Sequence, residues 1–174
     1  AFQEAVGRAV AFPAGLAATA AADFYALATR RGAYCAAAPA VAALHKTYAA
    51  ALVDAFIKKS THWDRATRDA AADALAGVTG VAPDLTPGAA TALLAGAASA
   101  DGDARHGGVA ALAALVRARR PLGPAATAVA AIPLTWRALV RGRGGEAVRH
   151  ALMALVAAVA DHGGIDLPPA AAAA

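Results

Sequence analysis

The chain has 174 residues, of which 59% are apolar but only 5% aromatic, with one cysteine and a net charge of +4. That length holds one ordinary domain or roughly three to four units of a helical array. Alanine supplies most of the apolar count, and it has the highest helix propensity of any residue. Cys35 has no second cysteine to pair with, and the small, scattered surplus of charge lacks the dense basic face of a nucleic-acid binder.

The mean hydropathy of +0.49 raises the question of a membrane. The longest uncharged stretches, Leu85–Ala100 and Pro121–Trp136, each hold 16 residues and contain proline. A spanning helix needs about 18 or more strongly apolar residues, so no membrane span is expected. The amino end carries Glu4 and Asp23 and lacks the order of a signal peptide. The chain opens at Ala1 and closes on Pro168, Pro169 and a run of alanines, as expected of a segment cut from something longer. Residues 166–174 read as a Pro/Ala-rich linker, and 1–165 as the folded part.

Taken in chain order, the elements are helical throughout. Cys35 falls in an apolar stretch and reads as a small buried side chain, not a nucleophile. A soft helix is expected over Tyr48–Lys59. The clearest helix follows, from about His62 to Val78. Trp63, Ala66, Ala70, Ala74 and Val78 make a narrow stripe at helical period, with Asp64, Arg65, Arg68, Asp69 and Asp73 opposite. Thr61 is the expected N-cap, with Asp64 three residues on. Gly77, Gly80 and Pro83 supply the stop. Trp63 and Trp136 read as wedges between helices.

After a softer helix at Pro87–Ser99, a second clear one spans Ala104–Arg119, with Val109, Leu112, Leu115 and Val116 inward. Arg117, Arg119 and Arg120 read as a solvated, dipole-favoured end, closed by Pro121. The segment Pro124–Val140 is expected to bend at Pro133, which lacks a backbone donor. A third clear helix covers Gly145–Ala160, burying Val148, Leu152, Leu155, Val156 and Val159.

A repeat connects the clear helices. Arg68, Arg105 and Arg149 each stand in the first turns of a helix, at spacings of 37 and 44 residues. Asp64 and Asp101 each precede their arginine by four positions, and Glu146 precedes Arg149 by three. Helix-pair repeats of the HEAT and armadillo kind recur at about 40–47 residues. The expected fold is therefore all-α, a HEAT/armadillo-like helical-repeat solenoid of roughly three to four helix pairs. Such arrays present extended surfaces to protein partners. Arg65, Arg68, Arg105, His106 and Arg149 are the candidate partner-binding residues. A structural role competes for Arg68 and Arg105, whose recurring position also fits a bond to an aspartate or carbonyl that stiffens the stack.

No catalytic motif appears: GxSxG, HExxH, GxxxxGK[ST] and CxxC are all missing. His62, His106 and His150 lie near Asp64, Asp103 and Glu146, and only Glu146–His150 has i,i+4 spacing. Two ligands fall short of the three or four protein ligands zinc takes, so no metal and no cofactor are expected. An enzyme would need two or more of these pairs to converge. Arg141-Gly142-Arg143-Gly144-Gly145 reads as a tight turn between helices and not as an RNA-binding box.

Four patches carry a resemblance. They are Ala1-Phe2-Gln3-Glu4 with Val6-Gly7-Arg8, Phe12-Pro13, Gly15 and Ala22-Asp23-Phe24; His62-Trp63-Asp64 with Arg68 and Ala74-Leu75; Arg105-His106-Gly107; and Arg141-Gly142 with Gly144-Gly145. In this order and with these separations they resemble the tubulin-folding cofactor D (tubulin-specific chaperone D) family, over roughly residues 1–160. The chain departs from that family in its alanine load, notably at Ala36–Ala43 and Ala110–Ala114. The resemblance implies a non-enzymatic, cytoplasmic HEAT-type scaffold segment. Its implied partners are β-tubulin, tubulin-folding cofactors E and C, and an Arf-like small GTPase, acting in assembly or disassembly of the αβ-tubulin dimer. The alternative is a generic HEAT adaptor with no tubulin link.

Overall fold

The computed structural model describes residues 30–140 and 145–162. Within them every regular element is helical and there is no strand, so the fold is all-α. A helical turn at Arg30–Gly32 and a π turn at Ala33–Ala37 lead into α1 (Ala38–Leu44). Then come α2 (Lys46–Lys59), α3 (Arg65–Val81), α4 (Thr86–Ala97) and α5 (Gly102–Arg117). Last are α6 (Ala126–Ala131), α7 (Trp136–Leu139) and α8 (Gly145–His162). The first resemblance patch, residues 141–144 where a tight turn is expected, the 166–174 stretch and the side chain of Trp136 lie outside what is described.

Three helices form the spine. α3 packs on α5, and α5 on α8, in chain order. Arg68 near the start of α3 meets His106 near the start of α5, while Arg120 just past α5 reaches Ala76 in the last turns of α3. The two helices therefore run in the same direction. α2 packs on α3 and α4 on α5, forming a second row in which α2 also touches α4.

Alanine shapes this packing. Ten of the 17 residues of α3 are buried, among them Ala70, Ala71, Ala72, Ala74 and Ala76. A helix with so little side-chain bulk accepts neighbours on several sides, so the single narrow stripe expected of α3 is replaced by a broad buried face. α5 is buried in the same way, and Val109, Leu112, Leu115 and Val116 are buried as expected. Glycine brings the backbones closer still. A Cβ on Gly107 would run into the Ser60 carbonyl, and one on Gly108 would lie 2.8 Å from the Leu93 carbonyl oxygen.

Helix ends correct several expectations. α3 begins at Arg65, capped by Asp64 and not Thr61: the carboxylate accepts from Ala66 N, Thr67 N and the Thr67 hydroxyl. The Thr61 hydroxyl instead donates back to the Lys58 carbonyl. Gly77 and Gly80 stay within the helix, which ends just before Pro83. α5 stops at Arg117 in a Schellman arrangement, with Arg119 left-handed at φ 54° and bonds from Arg119 N to Val116 O and Arg120 N to Leu115 O. The 124–140 segment is divided, as expected, by a 3₁₀ turn at Ile132–Thr135 that contains Pro133.

Side-chain placement brings three further corrections. Trp63, expected in the core, is 79% exposed because it precedes the helix in the α2–α3 turn. Val156 is 45% exposed, whereas Val148, Leu152, Leu155 and Val159 are buried against α5. Arg68, expected on the polar side of α3, is 4% exposed.

Candidate functional site

Two helix starts are built by the same device. At the first, Asp64 caps α3 while its own N–H donates to His62 Nδ1, 3.0 Å away. Arg68 turns back, and its Nη1 donates to the carbonyls of His62 (2.6 Å) and Trp63 (2.9 Å). At the second, Asp101 caps α5 while its N–H donates to the Ser99 hydroxyl at 3.1 Å. Arg105 turns back in the same sense, donating from Nη1 to the carbonyls of Ala100 (3.2 Å) and Ser99 (3.4 Å). In both, an aspartate four residues ahead caps the helix, and the arginine satisfies the carbonyls five and six residues behind it. The recurrence at 37 residues is one helix-start arrangement used twice.

Arg68 also joins the two helix starts. Its Nη1 lies 2.8 Å from Asp103 Oδ1, and its Nε donates to His106 Nδ1 at 3.0 Å. Because that nitrogen accepts, the imidazole proton is on Nε2, which points towards Asp69 Oδ1 at 3.8 Å. Burial, and next the Arg68 charge, hold the pKa of His106 below the ordinary imidazole range against the opposing pull of Asp69 and Asp103. The ring is neutral near pH 7, so its contact with Asp69 is not an ion pair. It presents a donor to its surroundings and keeps its lone pair on Arg68.

A groove of about 270 Å³ crosses the spine helices above this link. Arg65, Asp69 and Asp73 come from α3, His106 and Arg117 from α5, and His150 from α8. Its floor is alanine: Ala72, Ala110, Ala113, Ala151 and Ala154. The charges are arranged in pairs. Arg65 Nε is 3.5 Å from Asp69 Oδ2, and Asp73 lies between Arg31 and Arg117, at 3.1 Å from each. The result is a shallow surface with both signs of charge and no bulky side chain rising from its base.

The five sequence-predicted residues divide accordingly. Arg68 and His106 are buried in the link between α3 and α5, and Arg105 is half-buried on its own loop. Arg65 is exposed at the groove, and Arg149 is exposed on α8. Arg149 does not repeat the burial of Arg68. Of the three histidines, His106 and His150 share the groove, while His62 stays in the α2–α3 turn. Their expected acidic partners do not accompany them: Asp103 bonds Arg68, and His150 Nδ1 lies 3.0 Å from the Glu146 carbonyl, not its carboxylate.

Sequence reasoning missed Asp73, Arg117 and Arg120. Arg120 Nε donates to the Ala76 carbonyl at 2.9 Å, so the basic end of α5 ties to α3 and is not merely solvated. The signal available was the 44-residue separation of Asp73 and Arg117, close to the repeat length. Cys35 is half-buried, its thiol 3.7 Å from the Ala70 carbonyl; burial, with Asp73 next, raises its pKa and keeps it protonated. Among the described residues no group of three or more histidine, cysteine or acidic side chains is placed to hold a metal ion. None of the described helices is long and apolar enough to cross a membrane.

Comparison with known proteins returns no match to a protein family, a curated protein or a solved structure.

Proposed function

We propose that this chain is a segment of a HEAT-type helical-repeat scaffold that docks a protein partner across α3, α5 and α8. The single observation that supports it is the twice-used Asp–Arg helix start, with Arg68 of one unit bonded to Asp103 of the next. A device that repeats and links neighbours builds an array, and an array yields a continuous face. The alanine floor lets a partner's backbone approach, and the rim of paired charges gives it register.

The partner we propose is β-tubulin, on the strength of the four ordered patches. Tubulin-folding cofactors E and C and an Arf-like small GTPase are the further members of that cytoplasmic assembly, and the chain itself performs no chemistry. The test is binding of purified αβ-tubulin dimer to the whole chain by biolayer interferometry. Wild type binds, and the double charge reversal Arg65→Glu with Arg117→Glu weakens binding by at least about tenfold, because both side chains stand exposed at the groove. No binding by wild type removes tubulin. Binding that the reversal leaves unchanged removes the groove.

A further inference from the structure

We propose that Trp63 and the basic turn around it form an anchor for an acidic protein segment carrying an apolar side chain. The inference rests on the scaffold reading but not on tubulin.

An indole that is 79% exposed is unusual, because a side chain of that size gains most from burial. Trp63 is also held on a fixed backbone. Its carbonyl and that of His62 accept from the buried Arg68 guanidinium. His62 N donates to the Lys59 carbonyl and the Thr61 hydroxyl to the Lys58 carbonyl, which closes the turn on the end of α2. The His62 ring lies beside the indole, with centroids 5.3 Å apart and planes inclined by 31°. A displayed aromatic whose backbone is already ordered loses little further entropy on binding, and tryptophan is among the residues most enriched as binding anchors.

Charge selects the partner. Lys58 and Lys59 are exposed in the last turn of α2, whereas Arg65, two residues beyond Trp63, is paired with Asp69 and belongs to the groove. Asp64, the acidic residue between them, directs its carboxylate to Ala66 N, Thr67 N and the Thr67 hydroxyl. Asp54 stands one helical turn before Lys58 and is the nearest acid on α2. From 58 to 64, two exposed lysines therefore lie close in the chain to the indole, against one carboxylate that is spent on the helix cap. A partner that fits presents carboxylates around an apolar side chain or socket. A strand of nucleic acid fits less well, because binders of single strands line up several aromatics along a basic groove, and this turn has one.

The experiment uses the whole chain and three fluorescein-labelled probes: a short glutamate–leucine peptide, its lysine–leucine counterpart and an oligo-dT strand, followed by anisotropy. The acidic peptide binds, and Trp63→Ala weakens it by at least about tenfold with no fall in Tm. Lys58→Glu with Lys59→Glu weakens it as well, and added salt weakens it progressively. The proposal is overturned if the acidic peptide does not bind, if Trp63→Ala binds it like wild type, or if either control probe binds as tightly. Tubulin binding is judged separately by the groove reversal, so either reading can fail alone.

Discussion

Arg68 tolerates burial because its guanidinium is surrounded by acceptors: two loop carbonyls, an imidazole nitrogen and a carboxylate. Removing it leaves those carbonyls without their donor inside the fold. Arg68→Ala is expected to lower stability by about 3 kcal/mol in urea titration. Arg68→Lys restores little of it, since an ammonium has no planar fork to span the sites. Arg105 makes the same pair of bonds at longer range and is only half-buried, so Arg105→Ala costs about 1 kcal/mol. Trp63→Ala, by contrast, changes stability by less than about 1 kcal/mol, far from the ~3–5 kcal/mol of a core indole, because its side chain is exposed.

His106 gives the same cluster a pH response with a definite sign. Its pKa is lowered in the folded chain by burial and then by Arg68, whereas the unfolded chain takes up a proton near pH ~6.5. Below that pH the unfolded state binds more protons, so stability falls as the solution is acidified, down to the folded pKa, and this contribution is flat above. His106→Asn keeps an acceptor for Arg68 and cannot titrate. The urea midpoint of wild type is expected to fall more than that of His106→Asn between about pH 7 and about pH 5.5. Equal falls would place the titrating group elsewhere.

At the scale of elements, glycine marks where helices meet. Gly107→Ala drives a methyl group into the Ser60 carbonyl and is expected to cost at least about 2 kcal/mol, because backbone must move. Gly88 in α4 has nothing within 4 Å of its Cβ position, so Gly88→Ala stabilises by about 0.5 kcal/mol. Thermal melts of the two variants, shifting in opposite directions, check both. The positions of α5 and α8 were legible in the sequence because Val109, Leu112, Leu155 and Val159 are large enough to make a periodic stripe. The facing of α3 was not, because its alanines look alike on every side: Ala66 is exposed and Ala71 is buried. Its start was misplaced for a related reason. Thr61 and Asp64 are both acceptable caps, and only the Thr61 hydroxyl's bond to Lys58 decides between them.

For the whole molecule, the sequence showed that two helix starts are alike but not what they accomplish. The Asp–Arg spacing identified Arg68 and Arg105 as equivalent, and the structure places both on the carbonyls five and six residues behind. The groove was hidden, because the Asp69–Asp73 pair, Arg117 and His150 lie on three helices far apart in the chain and meet only when those helices lie side by side. Stacking of units is the claim from which groove and docking surface both follow. A double-mutant cycle on Arg68→Met and Asp103→Asn measures it most directly, since these residues stand at the starts of α3 and α5 and lie 2.8 Å apart. The stacked arrangement predicts a coupling of about 1–2 kcal/mol in urea unfolding, and strictly additive losses would contradict it.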